Sequence, residues 1–237
     1  MSVYRSNRGT PALRCESAPI ARARRWWILA AALALAWAGV GVAQAAPPVA
    51  LGGGSGIVLG DGSVCTLTTI GTDGAGRMVG FTAGHCASPG VGVAAEADPD
   101  AGTLGTVDFV SNDLDYAVIV FDPGLVTPVS HVGSTSISGI GVPAQFPVIA
   151  CKEGRTTGQT CGLVYGDVFD TATWTLTQIC VIVGDSGAPV VVGSTLVAIV
   201  NGYIGVPCLG PQVGANFTTI LDDVGARGGT GAGFTPV

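Results

Sequence analysis

Short apolar runs separated by turn residues follow one another along the chain from about residue 55 onward. Runs such as "RMVGFTAG", "LGTVDFVS" and "DYAVIVF" are rich in β-branched residues, and each is bounded by Gly, Pro, Asp or Asn. Many short strands at this spacing are typical of an all-β barrel or sandwich. The pattern predicts one short helix, over residues 216–227, with Asn216 as its cap.

The strand pattern continues over residues 55–225 without an internal repeat or a linker. It therefore predicts one unit of about 170 residues, which is large enough to bury about two-thirds of the surface that its unfolded chain exposes. The last ten residues, "GGTGAGFTPV" (228–237), are rich in glycine and are predicted to form a flexible tail.

Residues 1–45 have a different composition from the rest of the chain. Several arginines precede the 17-residue apolar run 26–42, and the small residues "AQA" (43–45) follow it. This order is typical of a secretory signal, here with cleavage after Ala45. An uncleaved membrane anchor is the alternative, although the run is shorter than the roughly 20 residues of a membrane span. We therefore expect a secreted protein with no stable membrane insertion after signal removal.

Removal of residues 1–45 leaves a strongly acidic chain. Four basic residues remain against fifteen acidic ones, so the formal net charge is −11. This balance argues against nucleic acid as a partner and suits a soluble extracellular protein. We expect a monomer.

Six cysteines remain after the signal: Cys65, Cys86, Cys151, Cys161, Cys180 and Cys208. An even number behind a secretion signal predicts three disulfides. Fifteen pairings are formally possible, and pairing in sequence order is the simplest: 65–86, 151–161 and 180–208. The absence of CxxC spacing and the presence of only two histidines argue against a zinc site, and no metal or organic cofactor is predicted.

Three stretches carry candidate chemistry: "FTAGHCAS" (81–88), "NDLDYAVIV" (112–120) and "VGDSGAPVV" (183–191). Each alone has an ordinary structural interpretation, as a strand end or a turn. Together they supply what acyl transfer needs. A serine hydroxyl requires a base such as imidazole, the imidazole requires a carboxylate to orient it, and the oxyanion requires backbone N–H donors.

The segments "TAGHC", "DYAVI" and "GDSGAP", in that order, resemble the chymotrypsin-like serine proteases, and most closely their bacterial secreted branch, the streptogrisins and α-lytic protease. A cysteine directly after the histidine, another six residues before the serine, and the loop "CKEGRTTGQTCG" (151–162) add to the likeness. The resemblance implies a double six-stranded antiparallel β-barrel with a short C-terminal helix. The protease domain would span residues 46–227, with the barrels divided near 125–135.

The resemblance also assigns roles to residues and makes the chain a secreted serine endopeptidase that acts on protein or peptide substrates. Ser186 would be the nucleophile, His85 the general base and Asp115 the orienting carboxylate, with Asp113 as the alternative acid. The backbone N–H groups of Gly184 and Ser186 would form the oxyanion hole.

Asp185, next to the nucleophile, is expected to be buried, and a buried carboxylate requires a partner. Arg155 matches the internal arginine of the bacterial relatives, so an Arg155–Asp185 ion pair is predicted. Lys152 is the second choice.

The specificity pocket is expected to lie between two segments around residues 178–181 and 200–203. The segments contain no acid and no histidine, which disfavours basic and glutamate side chains at P1, the substrate residue before the cleaved bond. An apolar P1 residue is therefore predicted. The pocket residues would be Gln178, Ile179, Val181, Val200 and Gly202.

Three departures from the family pattern leave a second hypothesis open. Ala188 replaces a usual glycine, and Val200 or Asn201 stands where a serine usually supports the triad carboxylate. Between Ala46 and Cys65 there is no room for the pro-region of bacterial members. The alternative is a non-catalytic binding or host-interaction protein on a protease scaffold.

Overall fold

The computed structural model describes residues 46–60 and 62–237. The predicted signal segment, residues 1–45, lies outside the described residues and stays a prediction. Within the described ranges, no helix is long and apolar enough to cross a membrane.

The described part of the chain contains twenty strands, most of them three to six residues long, and a single α-helix. In chain order they are β1 Val49–Leu51, β2 Gly56–Leu59, β3 Val64–Thr66, β4 Thr69–Thr72, β5 Met78–Ala83, β6 Gly92–Ala95, β7 Gly105–Ser111, β8 Tyr116–Phe121, β9 Val126–Pro128, β10 His131–Val132, β11 Thr135–Ser136, β12 Gly139–Ile140, β13 Ile149–Gly154, β14 Gly158–Gly166, β15 Trp174–Thr177, β16 Pro189–Val192, β17 Thr195–Ile199, β18 Gly202–Tyr203, β19 Gln212–Ala215, α1 Phe217–Arg227 and β20 Thr235–Pro236; 3₁₀ helices span Gly84–Cys86 and Pro99–Ala101.

The strands form two large curled sheets. One has the order β20-β4-β5-β8-β7-β6-β2-β3 and the other β12-β17-β16-β13-β14-β15-β19-β18. Within these two sheets, neighbouring strands are antiparallel except for β12 beside β17. Two small sheets lie outside them, a parallel pair of β1 with β9 and an antiparallel pair of β10 with β11. Each sheet has eight strands, because one short strand at each of its two edges adds to the six strands expected of each barrel. The predicted chymotrypsin-like double β-barrel is confirmed.

The two sheets are built from consecutive parts of the chain. Apart from β20, the first sheet uses residues 56–121 and the second uses residues 139–215. The chain therefore passes from one sheet to the other between residues 121 and 139. The division predicted near 125–135 stays a prediction. Each barrel encloses an apolar core, and a third cluster packs Phe81 and Tyr116 of the first sheet against helix α1.

The three predicted disulfides are present and pair the cysteines in sequence order. Cys65–Cys86 joins β3 to the segment after β5. Cys151–Cys161 crosses the β13–β14 hairpin at directly opposed positions, and Cys180–Cys208 joins the predicted pocket segment 178–181 to the loop between β18 and β19. A small secreted domain gains stability from such links because they restrict the unfolded chain.

The predicted C-terminal helix is confirmed as α1, but the role given to Asn216 is wrong. Asn216 occupies the residue before the helix, yet its side chain makes no cap hydrogen bond. Its Oδ1 instead accepts from Thr175 Oγ1 at 2.6 Å, and its Nδ2 donates to the Ala172 carbonyl. The side chain therefore ties the helix start to the second sheet.

The prediction of a flexible tail over residues 228–237 is also wrong. Strand β20 pairs with β4, and Phe234 packs edge-on against Phe81 with ring centroids 5.0 Å apart. Arg77 donates to Thr230 Oγ1 and to the Gly229 carbonyl. One buried aromatic ring and one arginine therefore fix a segment whose glycine content indicated flexibility.

Candidate active site

Two paired strands of the first sheet bring His85 and Asp115 together. In the β5–β8 pair, Ala83 lies opposite Tyr116, so the residue after one strand meets the residue before the other. The intervening Gly84 is required by space, because a Cβ there would lie 2.8 Å from the Tyr116 nitrogen. The strand register thus explains why "TAGHC" and "DYAV" converge.

The Asp115 carboxylate holds the imidazole of His85 from one side. Its Oδ2 lies 2.8 Å and its Oδ1 3.1 Å from His85 Nδ1, and Oδ1 also accepts from the His85 backbone N–H at 2.7 Å. The hydrogen bond from Asp115 raises the pKa of His85 above its usual value and outweighs the opposing effect of burial. A raised pKa makes the imidazole a stronger base.

The other ring nitrogen of His85 faces the serine. His85 Nε2 lies 2.9 Å from Ser186 Oγ, within the range of a hydrogen bond. Asp115, His85 and Ser186 therefore form one continuous chain of hydrogen-bonding groups. Asp113, the alternative acid, is exposed and makes none of these contacts.

Asn201, and not Val200, is the residue that supports the Asp115 carboxylate, a choice that the sequence left open. Its Nδ2 donates to Asp115 Oδ2 at 2.9 Å and to the Asp115 carbonyl at 2.7 Å, while its Oδ1 accepts from the Ala215 N–H. Burial alone would raise the pKa of Asp115, but the hydrogen bonds from His85 and Asn201 outweigh it and hold that pKa below its usual value. The carboxylate is therefore kept ionised.

Asp115 has a backbone conformation that these contacts must maintain. Its φ is 49°, in the left-handed region that costs energy for any residue with a side chain. Such conformations persist where surrounding contacts determine them, often at functional sites. Here both carboxylate oxygens and the carbonyl of Asp115 are held by His85 and Asn201.

The turn that carries Ser186 leaves two N–H groups free. Gly184 has a φ of 96°, and a Cβ there would lie 2.3 Å from Thr156 Oγ1, so the position requires glycine. The turn is held by Ser186 O and Gly184 O, which accept from Thr66 N and Thr66 Oγ1. Among the described residues, neither the Gly184 N–H nor the Ser186 N–H has an acceptor. Two free donors beside a serine hydroxyl can bind an oxyanion.

Asp185 is fully buried between these two donors, and the ion pair predicted for it with Arg155 is wrong. Its carboxylate accepts from the N–H groups of Thr156, Thr157 and Ile182 and from Thr157 Oγ1 at 2.7 Å. The cation beside it is Lys152, the second choice, whose Nζ lies 3.6 Å from Asp185 Oδ2 with both side chains fully buried.

The ammonium of Lys152 contacts two oxygen atoms of the turn between β13 and β14 and one oxygen atom of Asp185. Its Nζ donates to Thr157 Oγ1 and, at 2.7 Å, to the Gly158 carbonyl. Thr157 thus bridges the ammonium and the carboxylate. Burial lowers the pKa of Lys152 below its usual value, although the charge of Asp185 opposes this effect.

Arg155 instead connects the two sheets. Its Nε donates to Glu96 Oε2 at 2.6 Å and its Nη2 contacts Glu96 Oε1. Both side chains are partly exposed, so the large guanidinium stays near solvent whereas the smaller ammonium of Lys152 fills the closed site. Glu96 follows β6 in the first sheet, which explains why no local pattern indicated this pair.

Ala188, the unusual residue in "GDSGAP", fits without displacing the turn. It is fully buried in the apolar cluster of the second barrel. Its N–H donates to the Asp185 carbonyl and its carbonyl accepts from the Val200 N–H, both at 2.9 Å. The extra methyl group therefore packs in the core and leaves the donors of the turn aligned.

The predicted pocket residues occupy three different places. Ile179, Val181 and Val200 are buried together in one apolar cluster. Gln178 is partly exposed, and its side chain contacts Tyr165 and the Leu209 carbonyl. Gly202 lies elsewhere, on a cavity of about 430 Å³ with Asp115, Asn201, Tyr203, Val213, Phe169 and Trp174.

A smaller cavity of about 230 Å³ opens directly at the reactive groups. It is lined by His85, Gly184 and Ser186, and also by Ser63, Val64, Cys65, Cys86 and Val183. Within residues 46–60 and 62–237, no cluster of three His, Cys, Asp or Glu residues could hold a metal ion. The groups gathered at this cavity are a serine hydroxyl, an imidazole and two backbone N–H donors.

Comparison with solved structures places the fold among bacterial chymotrypsin-like proteases. Protease A of Thermobifida fusca matches with a TM-score of 0.61 and 25% identity over 75% of this chain and 97% of its own. α-Lytic protease homolog N4 matches with a TM-score of 0.62 and 25% identity over 75% and 98%. A glutamic-acid-specific serine protease, described as binding substrate through a histidine triad, matches with a TM-score of 0.62 and 26% identity over 74% and 98%.

Comparison of the sequence with protein-family profiles and with curated proteins finds no match. The structural matches nevertheless cover nearly all of each relative, so the likeness extends over both barrels. The predicted resemblance to the bacterial chymotrypsin-like serine proteases is confirmed.

Proposed function

We propose that the protein is a secreted serine endopeptidase that hydrolyses peptide bonds through an acyl-enzyme on Ser186. The observation that carries the proposal is the chain Asp115–His85–Ser186, with contacts of 2.8 Å and 2.9 Å, beside two free N–H groups. The serine-protease fold of the structural relatives supports it.

Each group has a defined task in this mechanism. His85 Nε2 takes the proton from Ser186 Oγ as that oxygen attacks the substrate carbonyl, and Asp115 stabilises the imidazolium that results. The N–H groups of Gly184 and Ser186 bind the oxyanion of the tetrahedral intermediate. His85 then gives the proton to the leaving amine, and a water molecule hydrolyses the ester by the same route.

The alternative of a non-catalytic binding protein rested on departures from the family pattern. Two of them have compensating contacts: Ala188 packs in the core, and Asn201 donates to Asp115. These contacts favour the enzyme. Secretion is supported by the signal predicted at residues 1–45 and by three disulfides. The apolar P1 preference rests on the sequence of residues 178–181 and 200–203, which contain no charged side chain.

A fluorophosphonate probe tests the proposal, because it labels only an activated serine. The mature, disulfide-intact protein should be labelled, and Ser186→Ala should abolish both labelling and peptide hydrolysis, with a loss on the order of 10⁶ in kcat. Ser138→Ala, which changes an exposed serine far along the chain, is the matched control and should label like the wild type. A folded wild-type sample that takes up no probe would favour the binding protein instead.

A further inference from the structure

A closed group of three polar side chains lies next to Asp115 and takes no part in acyl transfer. Tyr116, at the start of β8, directly follows Asp115 and is fully buried. Its hydroxyl donates to Asp223 Oδ2 and accepts from Arg227 Nη2 at 2.6 Å. Arg227 Nε donates to the same Asp223 oxygen at 3.1 Å. The three side chains therefore satisfy one another.

The partners of Tyr116 come from the C-terminal helix. Asp223 and Arg227 are one turn apart on α1, more than 100 residues after Tyr116. Arg227 also covers the ring of Phe109 on β7, with its guanidinium carbon 3.3 Å from the ring centroid. Strand β8 lies between β5 and β7 in the sheet. The long side chain of Tyr116 is thus fixed at its base by the sheet and at its tip by the helix.

The contact between Tyr116 and the helix does not depend on the ionisation of the phenol near neutral pH. Burial raises the pKa of Tyr116 well above its usual value, and the hydrogen bond to the Asp223 carboxylate adds to this effect. The phenol therefore keeps its proton and remains a donor to Asp223.

The peptide that joins Asp115 to Tyr116 packs against the segment of His85. A Cβ on Gly84 would lie 2.8 Å from the Tyr116 nitrogen and 3.0 Å from the Asp115 carbonyl carbon. Gly84 directly precedes His85. A shift of this peptide would therefore move both the carboxylate and the chain that carries the imidazole.

Asp115 has a backbone conformation that must be held from both sides. Its φ is 49°, in the left-handed region, where a residue stays only if its surroundings determine it. On one side Asn201 binds its carbonyl and its carboxylate. On the other side the chain continues into Tyr116, and the two residues move together because their Cα atoms are about 3.8 Å apart.

We propose that Tyr116 is a positioning residue that acts through Asp115, and that Asp223 and Arg227 hold it in place. Without this anchor the Asp115 backbone relaxes from its left-handed conformation, and its carboxylate turns away from His85 Nδ1. A purely structural group would only attach α1 to the first sheet, and its loss would lower stability alone. The proposal rests on the proposed endopeptidase function and gives helix α1 a part in aligning the triad.

Steady-state kinetics on a peptide substrate give the first test. Tyr116→Phe removes the hydroxyl and keeps the buried ring. It should lower kcat by about 3- to 10-fold, the effect of one hydrogen bond, while KM stays within about two-fold because Tyr116 does not reach the substrate. Asp223→Ala should give a similar loss of kcat, and Asp223→Asn, which keeps an acceptor oxygen, should lose less. Asp222→Ala removes an exposed acid of the same helix and is the matched control, with wild-type kinetics expected.

Titration of the histidines by NMR gives a second readout, which does not require turnover. The chain has only two histidines, so His85 and the exposed His131 give separate signals, and His131 serves as the internal reference. Ser186→Ala is included in every protein to prevent self-digestion. Tyr116→Phe should lower the pKa of His85, because the hydrogen bond that raises this pKa comes from Asp115, and should leave the pKa of His131 unchanged.

Ile220→Val separates positioning from helix stability. It shortens a buried side chain of α1 and keeps the three polar contacts. It should lower the stability of the protein while kcat and the pKa of His85 stay as in the wild type.

The outcomes separate this proposal from the proposed function. The positioning role is overturned, and the protease stands, if Tyr116→Phe leaves both kcat and the pKa of His85 unchanged, or if Ile220→Val lowers both to the same extent. A folded wild type that takes up no fluorophosphonate overturns the endopeptidase, and the histidine titration then still decides whether Tyr116 holds Asp115 against His85.

Discussion

Replacing Lys152 by methionine is expected to disturb the oxyanion hole from within the protein. The change removes the ammonium 3.6 Å from Asp185 Oδ2 and its hydrogen bond to the Gly158 carbonyl, while it keeps a linear side chain of similar length. Asp185 is then a buried carboxylate with no cation beside it. Since Gly184 and Ser186 flank Asp185, any movement of this residue is transmitted to both N–H donors.

The magnitude follows from the contacts that remain. Removal of one partner from a buried ion pair costs about 3–5 kcal/mol. Asp185 keeps three backbone N–H donors and the Thr157 hydroxyl, so the lower end, about 3 kcal/mol of unfolding free energy, is expected. Misalignment of one oxyanion donor costs about 10²–10³ in kcat, and we expect a loss of about 100-fold.

Two measurements check the expectation. Denaturant unfolding of Lys152→Met, with Ser186→Ala in both compared proteins to prevent self-digestion, gives the change in stability. Hydrolysis of a peptide substrate by the single variant gives kcat. Arg155→Met is the control, since its guanidinium is bound to Glu96. Stability within about 0.5 kcal/mol of the wild type, together with an unchanged kcat, would refute the role given to Lys152.

The pH dependence gives an independent test of Lys152. Burial lowers the pKa of its ammonium, while the charges of Asp185 and Glu153 oppose this effect. The ammonium should therefore lose its proton at a lower pH than an exposed lysine, and kcat should fall with it. At a pH between the lowered pKa of Lys152 in the folded protein and its higher pKa in the unfolded chain, the unfolded chain binds more protons than the folded one. In this range Lys152 therefore makes the unfolding free energy rise with pH. The alkaline loss of activity should thus occur without unfolding.

Three further substitutions separate the remaining contacts. Asn201→Ala removes two hydrogen bonds from Asp115 and should lower kcat by about 10- to 100-fold. It should also lower the pKa of the acidic limb of the kcat/KM profile, because a less firmly held carboxylate stabilises the imidazolium less. Arg155→Ala should lower the free energy of unfolding by about 1 kcal/mol or less, measured with denaturant, and leave kcat within a few-fold of the wild type, since the Arg155–Glu96 pair is partly exposed. A large loss of activity would instead support the Arg155–Asp185 pair predicted from the sequence. Phe234→Ala should destabilise the protein by about 3 kcal/mol through the lost ring contacts, measured by thermal unfolding. A Tm equal to that of the wild type would mean that Phe234 does not hold the C-terminal segment against Phe81.

The reactive groups could be predicted from sequence because each lies at the end of a strand with a strong local signal. His85 lies just after strand β5 and Asp115 directly before strand β8, and "GDSG" specifies a turn that needs glycine at a positive φ. The support for Asp115 could not be settled in this way. Val200 and Asn201 are neighbours on one chain segment, and only the three-dimensional pairing shows which side chain faces the carboxylate.

The remaining misses concern contacts between residues far apart in sequence. Arg155 pairs with Glu96 across the two sheets, and the C-terminal segment is fixed by Phe81, which precedes it by some 150 residues. Composition indicated a flexible tail because glycine content is a local property, whereas the burial of Phe234 is not.

The choice of Lys152 over Arg155 could have been made from the strand pattern, and it links the local sequence to the reaction. Side chains alternate along β13, where Ile149 is exposed while Ala150 and Lys152 are buried. A lysine on the inner face of a strand must find an acceptor, and Asp185, beside the two oxyanion donors, is the buried acid within reach. Arg155 lies in the turn that follows, where a larger guanidinium can stay near solvent. The inward lysine thus fulfils two requirements at once, because it satisfies its own buried charge and fixes the turn that carries Ser186.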